Sequence, residues 1–138
     1  MAVQPGVTGS TQAVSADFAS AGNNSDPSFG IVVRYQGPGR YYWIYRNTRG
    51  SSVLRISKIV NGVETILNSV KVPKPAANVF FHLEGRASGT TLTVALDGVD
   101  KGFVTDATYG SGAVGIMIHS GGGATPIHTA DNFRAAVQ

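Results

Sequence analysis

At 138 residues and with no cysteine, the chain is one domain's worth of sequence that must rely on a hydrophobic core, not on disulfides or thiolate metal sites. Charged residues make up only 14%, and the net charge of +3 comes mainly from arginines at 34, 40, 46, 49, 55, 86 and 134. Cations scattered in this way exclude the clustered basic footprint of a dedicated nucleic-acid binder.

No apolar run approaches the roughly 20 residues that a membrane helix needs. The opening MAVQPGVTGSTQ has neither the basic nor the apolar region of a signal peptide, so the chain reads as a mature segment or as one exported or assembled by another route. Residues 1–11 read as an extended N-terminal arm on a single domain spanning 1–138.

In chain order, QAVSADFAS alternates, with Val14, Ala16 and Phe18 on one face, and AGNNSDPS follows as a loop of turn formers. FGIVVRYQ predicts a strand with Phe29, Ile31, Val33 and Tyr35 opposite Val32 and Arg34. A Gly37-Pro38-Gly39 turn leads into the strand RYYWIYRN. VLRISKIV and VETILNSV flank Asn61-Gly62, whose residues accept positive φ and so predict a two-residue hairpin. Pro73 and Pro75 interrupt pairing and predict a crossover between sheets. VFFHLEGRA places Val79, Phe81 and Leu83 on one face and Phe80, His82, Glu84 and Arg86 on the other. TLTVAL buries Leu92, Val94 and Leu96 ahead of a second tight turn at Asp97-Gly98; AVGIMIHS buries Val114, Ile116 and Ile118; TADNFRAAV is the last strand. Nine to eleven short, evenly spaced strands without a helix are the pattern of a sandwich or barrel.

The order of these pieces resembles the laminin-G-like and concanavalin-A-like jelly rolls. GIVVRY with YYWIYR, LRISKIVNGVETIL, FHLEGRASGTTLTVALDG, then Thr105-Asp106, Tyr109, Gly112, Val114-Gly115 and Asp131-Asn132-Phe133 carry the resemblance, over roughly Phe29 to Val137. It implies an all-β, antiparallel two-sheet sandwich. It implies little about activity, because one such scaffold hosts many functions. It also implies a structural calcium near the termini, with Asp131 and Asp26 as candidate ligands; no other cofactor is expected.

Within RYYWIYR, period two puts Tyr41, Trp43 and Tyr45 on one face. If Tyr42 and Ile44 point inward, that face is an aromatic stripe suited to the apolar C–H edges of sugar rings. Arg34, His82, Glu84 and Arg86 (with Arg55) fall on outward faces and are the expected polar partners for hydroxyls. The competing expectation is a core Trp43 and ordinary cross-strand ion pairs.

No Gly-x-Ser-x-Gly elbow is present, nor the Glu-x-Asp-x-x-Glu strand of the family's glucanases, and most of the eight acidic residues fall in turns or at strand ends. Gly110-x-Gly112-x-x-Gly115 precedes a β run, not a helix, and so reads as turns. His119 and His128 lack an evident third ligand for zinc. Asn23-Asn24-Ser25 is a glycosylation sequon, meaningful only in a eukaryotic secretory protein.

The sequence therefore predicts a non-catalytic, extracellular or surface module that binds carbohydrate. The alternative is a virion decoration or tail component, or an adhesion module, that uses the same face against a protein partner.

Overall fold

The computed structural model describes residues 1–20, 27–48, 52–119 and 129–138. The strands are β1 (Ala2–Gly9), β2 (Gln12–Ala19), β3 (Ser28–Gly37), β4 (Arg40–Asn47), β5 (Val53–Val60), β6 (Val63–Lys71), β7 (Phe81–Ser88), β8 (Thr91–Leu96), β9 (Val99–Thr105), β10 (Gly112–His119) and β11 (Thr129–Val137). They form two antiparallel sheets. One has six strands in the order β1-β10-β3-β4-β5-β6, the other five in the order β11-β2-β7-β8-β9. The molecule is an open sandwich, not a closed barrel.

Both predicted hairpins form. Asn61 (φ 50°) and Gly62 (φ 79°) join β5 to β6, and Asp97 (φ 51°) and Gly98 (φ 82°) join β8 to β9. Consecutive positive φ values give the twist that closes a two-residue loop. The Pro73–Pro75 segment carries the chain from β6 in one sheet to β7 in the other. Val79, expected to face inward, is exposed, because β7 starts only at Phe81. The expected N-terminal arm is instead a paired strand: β1 hydrogen-bonds along β10.

The alternating apolar residues meet between the sheets. Val14, Ala16, Phe18, Leu83, Leu92 and Val94 of the five-stranded sheet face Phe29, Ile31, Val33, Tyr42, Ile44 and Ile56 of the six-stranded one. Phe18, Phe29 and Phe81 form an aromatic triangle with ring centroids 5.5–5.9 Å apart. Gly85 lies against the facing sheet: a Cβ there would lie 2.9 Å from Ile44 Cδ1.

A bulge in β3 changes the expected pattern of that strand. Two residues, Val33 and Arg34, oppose the single Val114 between the pairs Gly115↔Val32 and Ala113↔Tyr35, and Arg34 takes φ 51°. Tyr35 consequently leaves the core face and lies against Tyr41, with ring centroids 5.8 Å apart. Arg34 turns inward.

Candidate functional site

The structure divides the residues expected to form one site. Tyr41, Trp43 and Tyr45 lie on β4, on the outer face of the six-stranded sheet, because Tyr42 and Ile44 fill the core. His82, Glu84 and Arg86 lie on β7, on the outer face of the five-stranded sheet, because Phe81, Leu83, Gly85 and Ala87 alternate with them inward. The two faces are on opposite sides of the sandwich, so these side chains cannot share a ligand.

With Tyr42 and Ile44 inward, the aromatic stripe lies outside the main core, but it is not open: Trp43 is buried, as the competing expectation had it. Tyr41, Trp43 and Tyr45 retain only 9%, 7% and 2% of their exposure. Val32, Ile59, Tyr35 and Met117 pack with them in a second, smaller apolar cluster. Trp43 stacks on Tyr45 with centroids 3.8 Å apart, and its Nε1 lies over Gly30, where a Cβ would clash at 2.1 Å. The Tyr45 hydroxyl donates to Glu64 Oε2 at 2.6 Å, and Ser57 Oγ donates to the same oxygen at 2.6 Å. Burial raises the pKa of Tyr45, and the bond to Glu64 adds to the rise. Packing on neighbouring strands, which period two within one strand does not report, closes this face.

Arg34 is also not a surface ligand. It is 1% exposed, and its guanidinium donates to the carbonyls of Tyr109 (2.9 Å) and Ser10 (2.8 Å). Its backbone N–H donates to Gln12 Oε1 (2.9 Å), whose Nε2 donates in turn to Gly112 O (2.7 Å). The cation ties β3 to the loops on either side of it; desolvation lowers its pKa.

The polar residues of β7, by contrast, border a cleft. A depression of about 620 Å³ lies over β11, β2 and β7, bordered by Ser15, Asp17, His82, Glu84, Asn132 and Arg134, with small alanine side chains between them. That volume lies within the usual range of ligand sites. Asp17 is its centre: Oδ1 lies 2.7 Å from His82 Nδ1, and Oδ2 accepts from Asn132 Nδ2 at 2.8 Å. Hydrogen bonds from Asn132 and His82 pull the Asp17 carboxyl below its ordinary pKa. An ionised carboxylate only accepts, so His82 Nδ1 carries the hydrogen and Nε2 is the ring nitrogen left for other partners. The His82 main chain is pinned as well, its N–H donating to Asp97 Oδ1 at 2.9 Å.

A second bulge brings β11 into the cleft. Asn132 and Phe133 together oppose Ala16, between the pairs Asp131↔Asp17 and Arg134↔Ser15. Asn132 adopts φ 54°, a conformation asparagine tolerates better than most residues. Phe133 packs against the core, while Asn132 and Arg134 line the cleft. Glu84 accepts from Arg86 Nη1 at 3.0 Å, and Arg86 Nη2 reaches Asp100 at 2.6 Å.

Asp17, Ser15, Asn132 and Arg134 were not singled out by their sequence. The alternation of Val14, Ala16 and Phe18 already puts Ser15 and Asp17 outward; their pairing with β11, more than 100 residues away, leaves no local signal. Asp131 is exposed and accepts from the Asn132 N–H at 2.8 Å. Asp26, the other calcium candidate, lies outside the described residues, as do His128 and the Asn23–Ser25 sequon. Among the described residues no three His, Cys, Asp or Glu side chains gather as a metal site. Nor is any described helix long and apolar enough to cross a membrane.

No protein-family model matches the chain, and no curated protein matches it in sequence. Solved structures do match it in shape. The carbohydrate binding module CBM66 from Bacillus subtilis superposes with TM-score 0.80 at 17% identity, over 93% of this chain and 76% of that one. The fold is the concanavalin-A-like jelly roll. Sheep galectin-11 matches this jelly roll with TM-score 0.70 at 6% identity, over 98% and 96% of the two chains. A Bacillus licheniformis beta-glucanase matches with TM-score 0.67 at 15% identity, over 95% of this chain and 68% of that one. The jelly roll is thus shared by binding modules and by glycosidases, and identities this low carry the fold alone.

Proposed function

We propose that this jelly roll is a glycan-binding module and that its site is the polar cleft on the five-stranded sheet. The observation that carries the proposal is the convergence of Asp17, His82, Glu84, Asn132 and Arg134 on one depression of about 620 Å³. A sugar hydroxyl both donates and accepts. A carboxylate beside a guanidinium, with an imidazole nitrogen and an amide at hand, matches several such groups on one ring. The likeness in fold to a carbohydrate binding module and to galectins supports the same reading. His82 and Glu84 keep their expected role and Arg86 braces Glu84. The aromatic stripe and Arg34 become structural.

Binding without hydrolysis fits these side chains better than catalysis. A general acid is a carboxyl group kept protonated in an apolar setting. Asp17 is held ionised by Asn132 and His82, and Glu84 is paired with Arg86. A module of this kind works outside the cell or on a cell or virion surface.

A glycan array probed with the wild-type chain, Asp17→Asn and Arg134→Ala tests the proposal. Binding that both substitutions abolish supports it; binding indifferent to both places the site elsewhere. The second reading, an assembly or adhesion module, draws on Val63 and Ile66, which stand exposed on edge strand β6. A concentration-dependent oligomer in light scattering, lost on Ile66→Lys, favours it.

A further inference from the structure

A second depression, of about 300 Å³, adjoins the first and shares Ala13 and Ala136 with it. Arg86, Ser88, Thr91 and Thr93 border it, so its polar wall is mainly hydroxyl. The Glu84–Arg86 pair stands between the two: Glu84 lines the first depression and Arg86 the second. Arg86 is anchored on its far side by Asp100.

The row then continues to the edge of the sheet. Arg86 pairs with Thr93, and Thr93 with Phe103 of β9. Residues directly opposite in register share a face, so Phe103 lies on this same outer surface, about 10 Å from Arg86 across two strand spacings. Val104 takes the inward position against the core. Phe103 is 68% exposed, the highest value among the large apolar side chains described. A single exposed phenylalanine is ordinary on a protein surface; what marks Phe103 is its place in register with Thr93 and Arg86, at the end of the same polar row.

Resting on the glycan-binding reading above, we propose that this face is a groove of successive subsites for an oligosaccharide chain of at least three units. One sugar occupies the polar cleft around Asp17. The next crosses the Glu84–Arg86 pair to the hydroxyls of Thr91 and Thr93. A third lays the apolar face of its ring on Phe103. The polar cleft supplies directional hydrogen bonds, and Phe103 supplies apolar area that a monosaccharide cannot reach.

The test is isothermal calorimetry on the intact chain with gluco-, xylo-, galacto- and fructo-oligosaccharide series of one to five units. In the series that binds, affinity rises from one unit to three and then levels off. Phe103→Ala weakens the trisaccharide by about fivefold and leaves the monosaccharide unchanged. Thr93→Val weakens the disaccharide and longer chains only. A monosaccharide that binds as tightly as the trisaccharide overturns the subsite proposal while leaving the polar cleft intact, as does Phe103→Ala binding every length like wild type. No binding across all four series overturns both.

Discussion

Arg34 and Trp43 show what a single residue's letter conceals. Arg34 donates from a buried position to the carbonyls of Tyr109 and Ser10, so Arg34→Ala leaves two acceptors unsatisfied and a void between them. The expected loss is about 3 kcal/mol, read as a lower urea midpoint with unchanged slope. Trp43 gives a sharper contrast. Its Nε1 is buried without an acceptor among the described residues, so its indole contributes through packing and not through that donor. Trp43→Phe keeps a ring on Tyr45 but leaves part of the indole's space empty, so it costs about 1–3 kcal/mol, against about 3–5 kcal/mol for Trp43→Ala. Glycan binding should survive Trp43→Phe; loss of binding with stability retained would return the site to the aromatic face. Period two puts Tyr41, Trp43 and Tyr45 on one face, yet burial on that face depends on Gly30 and Tyr45 beside Trp43, which alternation along β4 cannot report.

Strands and turns were the most legible level. Asn61-Gly62, Asp97-Gly98 and the proline crossover are local chemistry, and each falls where its backbone requirement predicts. The bulges were not legible, because a bulge is a relation between two strands. One at Arg34 moves Tyr35 to the outer face, and one at Asn132 swings Arg134 into the cleft. Gly85 makes the same point in the packing of β7 against β3 and β4. Gly85→Ala forces a methyl to within 2.9 Å of Ile44 Cδ1 and should destabilise the protein by about 1–3 kcal/mol in chemical unfolding. A neutral result there would mean that the sheets separate more readily than this packing implies.

At the scale of the whole molecule, two polar constructions lie apart from each other: the cleft around Asp17 and the cluster that closes one end of the sandwich. In the latter, Tyr42 donates to Asp106 Oδ1 at 2.6 Å and accepts from the Tyr109 N–H at 3.1 Å. Burial alone would raise the pKa of Asp106, but hydrogen bonds from Tyr42 and Thr108, with Lys58 nearby, lower it to about 2. A folded-state pKa below the unfolded one adds stability above about pH 4, and that stability is lost as pH falls toward 2. Burial, reinforced by the bond to Asp106, raises Tyr42 to about 12, so a matching loss sets in above about pH 10, where only the unfolded tyrosine ionises. Acid unfolding of Asp106→Asn should therefore lack part of the wild-type slope between pH 4 and 2, by up to about 2 kcal/mol before solvent screening reduces it. The fold was recoverable from sequence because alternation and turn chemistry repeat along most of the chain. The proposed cleft was less legible, because its centre forms where β2 meets β11. The most direct test of the cleft is an NMR titration of the labelled chain with a glycan that binds on the array. The account predicts the largest amide shifts at Asp17, His82, Asn132 and Arg134; shifts concentrated instead at Trp43, Arg55 and Glu64 would contradict it.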